Sequence, residues 1–215
     1  MAALTRKRDG TGVLHAVLAT GNSGKLREFQ ALIGDCVSLT PQSEFGIHGV
    51  EESGATFTEN ALIKARHASG RTGLPAIADD SGLEVDFLNG APGIRSARYA
   101  GEGSGDLANL TRLLDQLAGV GAEDRTARFR CVTVFVRDAD DSEPWVAEGV
   151  WEGWIATKPI GENGFGYDPV FEVGRSGITA AQLDPAEKNL RSHRGAAIRQ
   201  LRTMLASVIS NDEER

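Results

Sequence analysis

Residues 13–34 read V-L-H-A-V-L-A-T-G-N-S-G-K-L-R-E-F-Q-A-L-I-G. Val13 to Ala19 is a continuous apolar run, the pattern of a strand buried on both faces. A glycine loop follows. It gives way to a helical period with Leu26, Phe29, Leu32 and Ile33 on one face, stopped by Gly34. Strand, glycine loop and helix in that order open an α/β domain.

Further along, residues 56–69 carry a second helix. Thr56 and Glu59 have the spacing of a capping box; Phe57, Ala61, Leu62, Ala65 and Ala68 supply the apolar face, and Gly70 ends it. Residues 75–78 form a short strand, D-D-S-G a turn, and Leu83, Val85 and Phe87 an alternating strand. A third helix covers residues 104–118, with Leu107, Leu110, Leu114 and Leu117 in line. Residues 128–137 and 146–155 are strands separated by the acidic loop D-A-D-D-S-E. Asp184 and Pro185 are the cap and first-turn proline of another helix, and residues 196–209 form the last. Hairpin-like neighbours in the second half favour a mixed rather than an all-parallel sheet. The expected organisation is one domain over residues 13–209 with loose tails at 1–12 and 210–215.

The formal charge of −7 over 215 residues argues against a protein that grips nucleic-acid backbones, since that needs a basic surface. It leaves room for a nucleotide pocket with a few local cations. Cys36 and Cys131 form no metal motif and fall in apolar stretches, as reduced thiols of a cytoplasmic protein do. No apolar run approaches a membrane span. Glycine is abundant, at 26 residues against a usual share of roughly 7%. Many of these glycines stand between apolar segments, where a backbone turns tightly or approaches a ligand.

Five segments carry residues suited to chemistry. Thr20, Gly21, Asn22, Ser23, Gly24 and Lys25 lie at a strand-to-helix turn, where backbone N–H groups and a lysine make an anion site. The spacing is not that of a P-loop, which needs four residues between its glycines and Ser or Thr after the lysine. A tight turn with a solvated lysine is the plainer reading. Asp79 and Asp80 can hold Mg²⁺ and activate a water, or simply make an Asp/Ser/Gly turn. In an extended chain they point to opposite faces, so one of them faces the site. Glu51 and Glu52 can complete a metal site or simply favour the helix dipole that follows. Lys64 on that helix reads as a snorkelling side chain. In G-E-N-G-F-G-Y-D-P, residues 161–169, three glycines surround Phe165 and Tyr167, an arrangement suited to stacking on a base or to plugging a hairpin loop. Residues 188–202 hold five cations in an acidic chain; a solvated basic face is their default. S-H-R at a helix start, however, gathers donors. Together a phosphate loop, acidic ligands, a stacking loop and a donor cluster are the parts of a nucleoside triphosphate hydrolase.

Six motifs in order resemble the inosine/xanthosine triphosphate pyrophosphatases, over about Val17 to Leu201. They are L-A-T-G-N-S-G-K, F-T-E-N-A-L-I-K-A-R, P-A-I-A-D-D-S-G-L, G-A-P-G-I-R-S-A-R-Y, G-F-G-Y-D-P-V-F and A-E-K-N-L-R-S-H-R-G. The resemblance implies an α/β fold: an elongated mixed sheet flanked by helices, two lobes with a nucleotide cleft between them, and a homodimer. It implies Mg²⁺-dependent hydrolysis of ITP, dITP and XTP to monophosphate and pyrophosphate in the cytoplasm, with no nucleic-acid or membrane partner. By matching motif, Thr20 to Lys25 would cradle phosphates. Asp80 would accept the proton and bind Mg²⁺ with Glu51, and Ser81 would touch substrate. Phe165, Gly166, Tyr167 and Asp168 would hold base and sugar, Lys188, His193 and Arg194 would complete the contacts, and Lys64 is a weaker candidate. Three other readings remain: a related pyrophosphatase for pyrimidine or modified nucleotides, a P-loop ATPase, and a non-catalytic nucleotide-binding module. The first lacks F-G-Y-D and S-H-R, the second has the wrong spacing, and the third does not need the acidic pair.

Overall fold

The computed structural model describes residues 13–213. In chain order the elements are β1 (Leu14–Leu18), α1 (Ser23–Ile33), β2 (Val37–Pro41), α2 (Phe57–Thr72), β3 (Ala76–Val85), α3 (Asp106–Gln116), β4 (Thr126–Val136), β5 (Trp145–Ile155), β6 (Phe171–Glu172), α4 (Pro185–Arg191) and α5 (His193–Glu213). Six strands hydrogen-bond in the order β2-β1-β3-β4-β5-β6. β1 runs parallel to both β2 and β3, whereas β5 and β6 are antiparallel, so the sheet is mixed as expected. Among the described residues no helix is long and apolar enough to cross a membrane.

The chain forms two compact units. One holds the described residues up to Asp80, Val132–Glu148 and those from Gly195 onward; the other holds Ser81–Cys131 and Gly149–Arg194. Each has its own apolar core. In the first, Phe29 and Ile33 of α1 and Ile198, Leu201 and Leu205 of α5 pack on Leu14, Ala16, Leu18, Val37, Ile77 and Phe135 from the strands. In the second, Leu110 and Leu113 of α3, with Leu117 just beyond it, pack on Leu83, Val85, Phe129, Trp151, Ile155 and Phe171. Full burial of such a side chain is worth about 1.5–3 kcal/mol, which ties helix to sheet in both units.

Local signals account for most helix ends. Asn22 caps α1, Thr56 caps α2 by accepting from the Glu59 N–H, and Asp184 with Pro185 starts α4. Four expectations are corrected. D-D-S-G is no turn: β3 runs unbroken through it, from Ala76 to Val85. α2 passes Gly70 and ends at Gly73, whose φ of 69° supplies the left-handed closing residue. Leu107, placed on the buried face of α3, is 75% exposed, and Leu113 is buried instead. α5 starts at His193 and extends to Glu213, so residues 210–213 of the expected C-terminal tail are helical. The expected N-terminal tail over 1–12 and the last two residues lie outside the described residues.

Candidate active site

In the first unit, charged side chains gather along β3. Asp79 is 1% and Asp80 6% exposed. Alternation along the strand sends the neighbours to different partners. Asp79 Oδ2 meets Lys25 Nζ, from the first turn of α1, at 2.9 Å. Asp80 meets α2: its Oδ1 lies 3.2 Å from Lys64 Nζ and its Oδ2 accepts from Asn60 Nδ2 at 3.2 Å. Lys64 also donates to Glu52 Oε1 at 2.9 Å, so Glu52, Lys64 and Asp80 form one chain of charge. Lys64 is therefore an ion-pair bridge and does not snorkel to solvent.

Burial raises the Asp80 carboxyl above the ordinary aspartate range by more than Lys64 and Lys25 pull it down, and Glu52 and Asp79 add to the rise. At Lys64 burial disfavours the charge, yet Asp80, Asp79 and Glu52 outweigh it and hold the ammonium above its usual pKa. The result is a carboxylate with raised proton affinity beside a firmly charged cation, which suits a general base next to an anion.

The loop before α1 is more self-contained than a bare phosphate cradle. Asn22 Oδ1 accepts from Gly24 N at 2.8 Å and Lys25 N at 3.1 Å, while Asn22 N donates to Thr20 Oγ1 at 3.2 Å. The Gly21 and Ser23 N–H groups lie outside these bonds, and a Cβ on Gly21 would meet open space. Glu51 is exposed, and it is Glu52 that faces Lys64.

The second unit assembles the remaining candidates. Asp168, at the end of the glycine loop, accepts from Phe165 N at 2.9 Å and pairs with Lys188 Nζ at 2.5 Å. Gly164, at φ 78°, passes so close that a Cβ there would stand 2.0 Å from Asp168 Oδ2. Gly166 N donates to Asp106 Oδ2 at 2.7 Å, and the Tyr167 hydroxyl donates to Ser96 O at 2.9 Å. Phe165 is thereby held as a half-buried ring with two cations over it: Lys188 Nζ at 4.8 Å and the Arg194 guanidinium at 5.5 Å from its centroid. Arg194 also donates to Ser81 Oγ at 2.7 Å. The His193 ring stacks on Phe129, with centroids 4.6 Å apart, inside the apolar core.

Sequence reading did not single out Asn60 or Asp106. Asn60 stands four residues before Lys64 on a helix, hence on the same face. That spacing was the available signal. Asp106 lies in no motif, and its role emerges only when the loop returns to α3.

A sequence model of the Ham1 family matches residues 16–204. The chain is 58% identical over 186 residues to the dITP/XTP pyrophosphatase of Thioalkalivibrio sulfidiphilus, a match covering 86% of this chain and 95% of the relative. It is 56% identical over 193 residues to the dITP/XTP pyrophosphatase of Methylococcus capsulatus, with 89% and 96% covered. Among solved structures, a HAM1 protein from Coxiella burnetii superposes with a TM-score of 0.83 at 50% identity, covering 91% of this chain and 100% of that one.

Proposed function

The chain belongs to the Ham1 family, and from that premise we propose that it hydrolyses non-canonical purine nucleoside triphosphates (ITP, dITP and XTP) to monophosphate and pyrophosphate. The observation that carries this reading is the Glu52–Lys64–Asp80 chain. It holds a carboxylate of raised proton affinity beside a cation on regular elements of the fold.

In the proposed reaction, water attacks the triphosphate, the anhydride bond between the α- and β-phosphates breaks, and Asp80 takes the proton of the attacking water. Lys25 and Lys64 stabilise the charge that builds on the departing group. No covalent intermediate is needed.

The residues fit a divalent cation shared with substrate. Among the described residues no group of three or more His, Cys, Asp or Glu is arranged to hold a metal unaided. Mg²⁺ bound with a nucleotide needs only one or two carboxylates, the rest coming from phosphate and water. Asp80 and the Glu51–Glu52 pair would hold it, with Glu52 already turned toward the partner of Asp80. Mg²⁺ when bound neutralises the triphosphate and polarises the bond that breaks.

Base selection is assigned to the second unit. Hypoxanthine and xanthine present an acceptor at position 6 and no amino group at position 2. Adenine has a donor at position 6, and guanine one at position 2. An edge of donors disfavours both ordinary bases at roughly 1–3 kcal/mol per unpaired group. Arg194 supplies that edge, His193 seats it through its stack on Phe129, and Phe165 offers its ring to the base. By family likeness the protein acts as a homodimer in the cytoplasm.

The test is a panel of ITP, dITP, XTP, GTP and ATP with Mg²⁺, with products separated by chromatography. Inosine and xanthosine monophosphates plus pyrophosphate are expected. Orthophosphate as the first product overturns the reading.

A further inference from the structure

Asn60 is fully buried, with 0% of its surface exposed, and its nearest buried neighbours along α2 are Phe57, Ala61 and Ala65. Its amide is committed at both ends. Oδ1 accepts the Gly54 N–H at 2.8 Å, which leaves Nδ2 to donate to Asp80 Oδ2 at 3.2 Å. Lys64, one turn later on the same face, repeats the pattern with charge, reaching Glu52 and Asp80 Oδ1. Two side chains of α2 thus span the same two targets, the glutamate loop and the Asp80 carboxylate.

The loop end of this bracket requires a residue without a side chain. A Cβ on Gly54 would lie 2.7 Å from Asn60 Oδ1, 2.7 Å from Glu59 Cβ and 3.0 Å from Asn60 N. Only glycine lets the Gly54 N–H come within reach of the buried amide. A buried amide with both ends matched is costly to displace, since either group left alone loses its hydrogen bond without regaining water.

Lys64 can fix distance, but an ammonium is a rotating donor with little directional demand. A planar amide bonded at both ends sets orientation. We infer that Asn60 is a positioning residue that locks the plane of the Asp80 carboxylate to the Glu51–Gly54 loop, so that the proton acceptor and the acidic loop keep one fixed geometry. The inference rests on the function proposed above. It predicts a loss in turnover that does not depend on nucleotide binding.

The experiment compares wild type, Asn60→Ala and Gly54→Ala on ITP with Mg²⁺. It reads kcat and KM separately, the melting temperature, and solvent exchange of the Gly54 amide. A misplaced acceptor lowers kcat by on the order of 10²-fold. KM stays within about threefold, because groups that bind the nucleotide equally in ground and transition state are untouched. Gly54→Ala leaves the Asn60 side chain present but pushes the loop off it, and gives the same kcat loss in a folded protein. The Gly54 amide exchanges faster in Asn60→Ala. A merely structural role would lower the melting temperature of Asn60→Ala, leave kcat per folded molecule intact, and leave Gly54→Ala as active as wild type. That result overturns the inference. Wild type releasing no pyrophosphate from any nucleotide overturns the functional reading and this inference with it. Wild type active, with both variants retaining kcat, overturns the inference alone.

Discussion

In the first unit Lys25, Lys64, Asn60, Asp79 and Asp80 stand on α1, α2 and β3, and Glu52, in the loop before α2, joins them through Lys64. In the second, Phe165 stands on a loop whose glycines at 161, 164 and 166 all take positive φ, and the loop is held by Asp168, Asp106 and Ser96. One cluster takes most of its geometry from two helices and a strand, with a single loop carboxylate attached. The other acquires it from carboxylates that clamp an irregular backbone. Damage should therefore register differently in the two units. A change in the first unit alters charge at a fixed place and should act on kcat. A change in the second alters where an aromatic ring and its flanking cations sit and should act on KM and selectivity.

The sharpest attempt to break this division is Asp80→Asn. The swap is near-isosteric, so Asn60 and Lys64 retain a neighbour while the proton acceptor is lost. Turnover of ITP should fall on the order of 10²-fold or more, with little change in KM. A KM effect of similar size would erase the contrast. Next is Gly164→Ala, whose methyl group meets the Asp168 carboxylate at a backbone conformation unfavourable for alanine. Strain of roughly 1–3 kcal/mol in the loop should raise KM about tenfold while kcat stays near wild type. Steady-state kinetics on ITP decides it.

A smaller effect is expected from Arg194→Ala, which should lower kcat/KM for ITP several-fold more than for GTP or ATP and so narrow selectivity. Equal losses for every nucleotide would place base selection elsewhere. The smallest effect on turnover belongs to Asp141→Asn, at the turn joining β4 to β5 in the first unit. Asp141 accepts from the Arg137 side chain, from Arg137 N at 2.9 Å and from Glu143 N at 3.0 Å, and the Arg137 bond leads in lowering its pKa from 3.8 to about 2. A lowered folded-state pKa stabilises above the unfolded value and is lost as pH falls through the folded one. The wild-type excess in stability, ~2 kcal/mol at neutral pH, should therefore fade between pH 3.8 and about 2. Denaturant melts of both proteins across that window measure it. A parallel pH dependence in the variant would refute the assignment.

Much of this was legible in the chain. Caps at Thr56 and Asp184 and the mixed sheet follow from local patterns, whereas the pairing of Lys64 with Asp80, sixteen residues away on another element, does not. The failures are equally physical. D-D-S-G has the composition of a turn, but composition cannot register that the strand begun at Ala76 carries on through it to Val85. Gly70 reads as a stop because glycine ends helices, yet this helix closes where the left-handed conformation is adopted, at Gly73. Leu107 shares a helical period with Leu110 and Leu117, but the face that packs carries Leu113 beside them and leaves Leu107, in the first turn, exposed. Glu52 rather than Glu51 faces Lys64 because of how an irregular loop enters α2, and no periodicity encodes that.

The first apolar core has a consequence for the growing chain. It joins Leu14, Phe29 and Val37 to Ile198, Leu201 and Leu205, residues at opposite ends of the sequence. During synthesis the early strands emerge long before α5 exists to cover them. Contacts of such wide sequence separation slow folding, and nascent segments that await their cover expose apolar surface. The stretch around β1 and α1 is therefore where a ribosome-bound chain would most need shielding, and where loss of α5 would leave the widest wound.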